Sequence, residues 1–335
     1  MDFVGSHILS IDQFDRSDIE KIFAVADRME PYALRRKKTR VLEGAILGNM
    51  FFEPSTRTRL SFGAAFNLLG GQVRETTGFA SSALVKGESL FDTARVISGY
   101  SDIICMRHPE SGSVAEFSQA SRVPVINGGD GSNEHPTQAL LDLYTIKREL
   151  VDRGAGIDGL KIAMIGDLKY GRTVHSLSQL LGLYKDVEIY LVSPKELRMP
   201  DYIEERLRKA GHRLVVTESL EEGINNAQIV YSTRIQEERF KSTEEADLYR
   251  GRFRINQAIY TANCQPNTVI MHPLPRDSRA EANELDGDLD ANPNLAIFRQ
   301  ADNGVLVRMA LFALILKVDH LLEKYEREVS WFTRK

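Results

Sequence analysis

The chain has 335 residues, 42% hydrophobic and 27% charged, the composition of a soluble globular protein long enough for two domains with a core each. Lys+Arg number 43 against 47 Asp+Glu, a net charge of −4, so no global basic field calls for nucleic acid and any anion site has to be local. Cys105 and Cys264 match no zinc spacing and suit a reducing, cytoplasmic setting, and neither the stretch 1–13 nor the apolar run 309–316 suits a signal peptide or a membrane span.

A helix is expected over 17–29, with Ser17 as N-cap and Ile19, Ile22, Phe23, Val25 and Ala26 as its apolar stripe. A buried strand at 45–52 runs into Pro54, which biases Glu53 away from the α region. Ser55 then suits an N-cap, and Phe62, Ala65, Phe66 and Leu69 fall at i, i+3, i+4 and i+7 of an amphipathic helix. Strands follow at 72–75 and 102–106 with a helix at 89–98 between them, then a strand at 123–127 closed by Gly128-Gly129-Asp130-Gly131. A helix opens at Pro136 and runs to 150. The glycine-rich stretch 154–159 is the best linker in the chain. Beyond it the alternation restarts, with a strand at 161–165, a helix at 172–183, a strand at 187–192 and a helix at 202–210. Strands at 214–217, 229–232 and 269–271 come next, and a last helix, apolar nearly all round in its first half, spans 305–325. Repeated βα units predict an α/β protein of two domains, each a mainly parallel sheet flanked by helices.

The motifs that could carry chemistry sit at strand ends. Thr56, Arg57 and Thr58 fall in the first turn of a helix, where backbone N–H groups and the dipole favour an anion, and Arg57 adds a fork that suits phosphate or carboxylate, with phosphate the preferred reading. Arg107-His108-Pro109 follows the apolar run 103–106, and Asn133-Glu134-His135-Pro136-Thr137-Gln138 opens a helix after a strand. His135 could donate to a developing negative charge, with Gln138 on the same helix face. The stretch 81–88 has the look of a mobile loop with one lysine, Lys86. Gly166-Asp167-Leu168-Lys169-Tyr170-Gly171-Arg172-Thr173 is a near miss to a nucleotide P-loop, with Arg172 where the lysine should stand. Thr233-Arg234-Ile235-Gln236 and His272-Pro273-Leu274-Pro275-Arg276 each follow a strand, and the two prolines of the latter set a rigid turn with room for a cis bond. Taken singly, each of these arginines reads as well as a surface residue closing a turn. There is no obvious nucleophile and no metal-ligand cluster, and no cofactor is expected. A site rich in Arg, His and Gln fits anionic substrates that react with each other while the protein positions them and stabilises charge.

Together these motifs resemble the aspartate and ornithine carbamoyltransferases. Ser55-Thr56-Arg57-Thr58-Arg59 is similar to the family's carbamoyl-phosphate signature, and Arg107-His108-Pro109 and His135-Pro136-Thr137-Gln138 follow in the family's order. The stretches 166–173 and 272–276 resemble the aspartate branch, and the similarity spans 42–316. The resemblance implies carbamoyl transfer from carbamoyl phosphate to L-aspartate, with ornithine as the competing acceptor. It implies a carbamoyl-phosphate domain over 1–150, completed by a returning C-terminal helix (305–335), and an aspartate domain over 151–304. Ser55, Thr56, Arg57, Thr58, Arg107, His135, Gln138, Leu274 and Pro275 would hold carbamoyl phosphate. Arg57, Thr58, Lys86, Arg107 and His135 would be catalytic. Lys86, Arg172, Arg234 and Gln236 would hold aspartate, whose amino group would meet the Leu274 backbone. Ser82 and Lys86 would enter from the adjacent subunit of a homotrimer, and separate regulatory chains stay open. The segment 277–295 is several residues longer than the family pattern leads one to expect.

Overall fold

The computed structural model describes residues 1–77, 87–131, 133–236, 240, 242, 248–279 and 281–331. The chain divides into unit 1, Met1–Leu140 with Asp302–Lys335, and unit 2, Leu141–Ala301. Each unit is built on one parallel sheet, as the βα alternation predicts.

In unit 1, helix α1 (Arg16–Ala33) leads to strand β1 (Lys37–Thr39) and then to the sheet strands β2 (Ile46–Phe51), β3 (Gln72–Thr77), β4 (Ile103–His108) and β5 (Val125–Asp130). Their spatial order is β3-β2-β4-β5, all parallel. Helix α2 (Thr56–Leu68) follows β2, α3 (Leu90–Ile97) and α4 (Ser113–Ala120) flank β4, and α5 (Pro136–Val151) follows β5 and continues into unit 2 from Leu141. The predicted stripe Phe62, Ala65, Phe66 and Leu69 is fully buried, and Phe66 meets Phe312 edge-on at 5.0 Å between centroids. Burial of a side chain of that size is worth about 1.5–3 kcal/mol, so this stripe is what holds α2 in place.

Unit 2 carries β6 (Lys161–Ile165), α6 (Arg172–Leu181), β7 (Glu188–Val192), α7 (Asp201–Lys209), β8 (Arg213–Thr217), α8 (Leu220–Ile224), β9 (Ile229–Ser232) and β10 (Val269–Met271). The order is β10-β9-β6-β7-β8, again all parallel. Ile165, Val192, Val230 and Ile270 bury one face of the sheet, and Leu285, Leu289 and Leu295 join the same core. The long segment 277–295 is therefore packed structure rather than a loose insertion.

Three sequence expectations need correction. The N-cap of α1 is Asp15, not Ser17: Asp15 accepts the Asp18 N–H while Asp18 accepts the Asp15 N–H, a reciprocal capping box. Strand β5 does not stop at Asn127 but runs through the glycines to Asp130, because a bulge there sets Gly128 and Gly129 against Arg107. The last helix spans Ile297–Ile315 rather than 305–325. Its first turns hide behind the polar Arg299, Gln300 and Asn303. Its end is a Schellman motif on Lys317 at φ 56°, with Val318 N–H donating to Ala313 O and Lys317 N–H to Leu314 O. Beyond that stop, β11 (Glu326–Glu328) pairs antiparallel with β1. The sequence also gave no sign of α4, of α8 or of the helix Gln257–Asn263, which are short.

Candidate active site

In an open parallel sheet, ligands collect at the carboxyl ends of strands where the strand order reverses. In unit 1 the chain steps from β2 out to β3, then crosses back to β4 and on to β5, so the reversal lies between β2 and β4. Ser55 to Thr58 follow β2, Arg107 closes β4, and His135 and Gln138 follow β5. Topology thus brings these three motifs to neighbouring strand ends.

Ser55 is the N-cap residue of α2, as expected, in extended backbone at φ −160°, but its side chain makes no capping bond. That hydroxyl is not consumed by the helix. Arg57 is exposed and Thr58 half-buried. The second arginine of the stretch, Arg59, is turned elsewhere, 3.6 Å from Glu75. Arg107 donates from Nε to Glu53 Oε2 at 2.9 Å and from Nη1 to the Gly128 carbonyl at 3.4 Å. Both contacts aim its guanidinium, and the β5 bulge supplies the second. A side chain at Gly128 would press on the Cys105 sulfur and the Met106 carbonyl, which accounts for glycine there.

The loop before α5 is braced by acids. Asp130, 2% exposed, accepts from Gly112 N–H at 2.9 Å, Asn133 Nδ2 at 3.1 Å and Glu134 N–H at 3.2 Å. Glu134 accepts from the Ser10 hydroxyl at 2.6 Å and Ile11 N–H at 2.9 Å, and burial pushes its carboxyl above the ordinary value. His135 is buried, and its carbonyl starts the helix by accepting from Gln138 N–H at 2.9 Å. Arg308, 3% exposed, donates to the Ser61 hydroxyl at 2.7 Å and stands 4.8 Å above the Phe62 ring, so a buried cation backs α2.

In unit 2, β7 and β8 lie on one side of β6, and β9 and β10 on the other, so the reversal falls between β6 and β9. The stretch 166–173 follows β6 and Thr233 to Gln236 follow β9. Gly166 sits at φ 109°, and a Cβ there would collide with the Thr233 carbonyl, so only glycine lets the two loops meet. Asp167, fully buried, accepts from Tyr170 N–H at 2.9 Å and Gln236 N–H at 3.2 Å, tying the two loops together. His175 donates from Nε2 to the Leu168 carbonyl at 2.7 Å, and burial lowers its basicity. Arg172 opens α6, and Arg234 donates to the Ile235 carbonyl at 3.3 Å. Leu274 and Pro275 follow β10, next to β9, joined by a cis peptide bond with Leu274 at φ 57°.

Ser82 and Lys86 lie outside the described residues, with most of the loop 81–88. Sequence reasoning missed Glu53, Asp130, Asp167 and Arg308, which hold the predicted residues rather than being predicted themselves. Asp167 could have been found as an acid inside a Gly-rich strand-to-helix turn. Arg308 gave only the weak signal of a cation inside an apolar helix.

Comparison with known proteins matches both units. Residues 6–148 fit the aspartate/ornithine carbamoyltransferase carbamoyl-P binding domain, and residues 158–315 fit the Asp/Orn binding domain of the same family. The aspartate carbamoyltransferase catalytic subunit of Cellvibrio japonicus is 76% identical over 333 residues, covering 99% of this chain and 98% of its own. The one from Saccharophagus degradans is 74% identical with the same coverage. Among solved structures, the catalytic subunit of M. jannaschii aspartate transcarbamoylase aligns with a TM-score of 0.84 at 46% identity, over 93% of this chain and 98% of that one. Aspartate transcarbamoylase from Trypanosoma cruzi, solved in complex with carbamoyl phosphate and aspartate, aligns at 0.85 and 37%, over 94% and 98%. The chain belongs to the aspartate/ornithine carbamoyltransferase family.

Proposed function

We propose that the chain transfers the carbamoyl group of carbamoyl phosphate to the amine of L-aspartate, giving N-carbamoyl-L-aspartate and phosphate, an early step of pyrimidine biosynthesis. The observation that carries the choice of acceptor is the pair Arg172 and Arg234 at the strand-order reversal of unit 2. Arginines suit the two carboxylates of aspartate, whereas the cationic side chain of ornithine would need acids there. The near-full-length identity to aspartate carbamoyltransferase catalytic subunits supports the same choice.

In this reading Ser55, Thr56, Arg57 and Thr58 hold the phosphate, with Arg107 assisting. Thr58, Arg107 and His135 donate to the carbonyl oxygen, and Gln138 meets the carbamoyl nitrogen. Arg172, Arg234 and Gln236 hold the aspartate carboxylates, and the Leu274 carbonyl accepts from its amine, with Pro275 beside it. The neutral amine attacks the carbamoyl carbon, forming the C–N bond as charge builds on the carbonyl oxygen. The C–O bond to phosphate then breaks, and the amine proton leaves with the phosphate. Each donor aimed at that oxygen lowers the barrier by about 3 kcal/mol. No step needs a cofactor, since the protein supplies position and charge.

The working unit is a homotrimer in the cytoplasm, with Ser82 and Lys86 reaching the site of the adjacent subunit. The catalytic-subunit names of its relatives make separate regulatory chains a natural addition. The deciding experiment is a colorimetric ureido assay with L-aspartate and with L-ornithine. Product from aspartate is expected, and product from ornithine alone would overturn the assignment.

A further inference from the structure

The turn that presents Leu274 is built around a buried pair. With prolines at 273 and 275, Leu274 carries the one backbone N–H between His272 and Arg276. That N–H donates to His272 Nδ1 at 2.8 Å. An imidazole nitrogen that accepts a hydrogen bond holds no proton, so the ring proton is on Nε2. Nε2 lies 2.7 Å from Glu284 Oε1, a close contact bent away from ideal hydrogen-bond geometry. Glu284 also accepts from Asp277 N–H at 3.2 Å, the far end of the same turn. His272 is 1% exposed and Glu284 7%, and the His272 N–H is anchored to Gln300 Oε1 at 2.9 Å. Glu284 belongs to the long segment 277–295, held by the buried Leu285 and Leu289 beside it.

We propose that His272 and Glu284 are positioning residues for the acceptor substrate: together they fix both ends of the 272–277 turn and so aim the Leu274 carbonyl at the incoming amine. Neither touches substrate. The long segment is thereby given a task, since it delivers the carboxylate that orients the ring. This rests on the reading of Leu274 as the amine's partner.

Two substitutions separate the two sides of the ring. His272→Gln keeps an N–H toward Glu284 and loses the acceptor for Leu274 N–H. His272→Asn places an amide oxygen near the Nδ1 position, keeps that acceptor and loses the link to Glu284. KM for each substrate, kcat and the melting temperature are measured on the full-length protein. His272→Gln is expected to raise the aspartate KM at least about tenfold with a much smaller rise in the carbamoyl-phosphate KM, and His272→Asn to raise the aspartate KM only about fivefold. Both should melt lower to a similar extent. Equal aspartate KM values for the two variants, or parallel rises for both substrates, would reduce the pair to a structural role and overturn the proposal. Should His272→Gln fail to fold, Glu284→Ala leaves the ring in place but unheld. It should raise the aspartate KM about fivefold, and an unchanged KM overturns the proposal. A wild-type protein that carbamoylates no aspartate would instead overturn the assignment of Leu274, and this role with it.

Discussion

Replacing Tyr231 by Phe tests the polar network that lies under the unit 2 site. Tyr231 is fully buried on β9, and its hydroxyl donates to Asp142 Oδ2 at 2.7 Å. Asp142, itself fully buried, accepts from Gln300 Nε2 at 2.6 Å through its other oxygen, and Gln300 in turn anchors the His272 N–H. Phe preserves the ring and its packing, so the change removes the hydroxyl's bond to Asp142 along with its hydrogen bond to Thr173. A buried bond to an acid contributes about 1.5–3 kcal/mol. For a unit of this size, each kcal/mol corresponds to a melting shift of roughly 2–4 °C. Tyr231→Phe should therefore lower the melting temperature by roughly 4–8 °C, read by calorimetry at pH 7. In a double-mutant cycle with Asp142→Asn, the two changes should couple by about 1 kcal/mol or more. A shift below about 1 °C, or strict additivity, would refute the network. There is an alkaline corollary. Burial, and then Asp142, raise the Tyr231 phenol well above its ordinary 10. The unfolded tyrosine ionises first, so its contribution is complete below pH 10 and is lost as pH climbs beyond it. Tyr231→Phe should shrink that alkaline loss.

Arg57→Ala should cut turnover by about 10²-fold or more in the ureido assay, and near-normal activity would sink the phosphate-site assignment. Mixing Lys86→Ala with His135→Ala subunits should restore some activity if sites are shared, whereas no recovery in reassembled trimers counts against an interface site. On the acid side, burial lowers His7, His108, His175 and His212 below the ordinary 6.5. The unfolded chain takes up those protons first, so stability should be intact above pH 6.5 and fall as pH drops below it. His175→Gln should flatten that acid limb in urea unfolding, and an unchanged slope would show that His175 does not contribute.

Local chemistry explains what could be read early. Phe62, Ala65, Phe66 and Leu69 had to face a core because helical spacing puts them on one side, and Pro54 and Pro136 mark where backbone must change. The strands at 161–165, 229–232 and 269–271 matched to the residue because continuous apolar runs bounded by polar residues leave little choice. The arginines stood out as an expected local anion site because they cluster at strand ends of an acidic protein, whereas their division between phosphate and aspartate came from the family resemblance.

What escaped depended on residues far apart in sequence. Lys317 ends a helix in a conformation that usually signals glycine, and only the surrounding packing holds it there. Gly128 and Gly129 read as a turn, yet the pairing with β4 turns them into a bulge that serves Arg107. Sequence by itself determined the βα alternation, the two parallel sheets and the types of residue available to the site. Tertiary structure alone decided which strand ends are neighbours, because strand order is a matter of long-range pairing. It also decided which acids (Glu53, Asp167 and Glu284) contact the residues of the predicted site and its turns, since a buried partner is chosen by geometry and leaves no periodic mark on the chain.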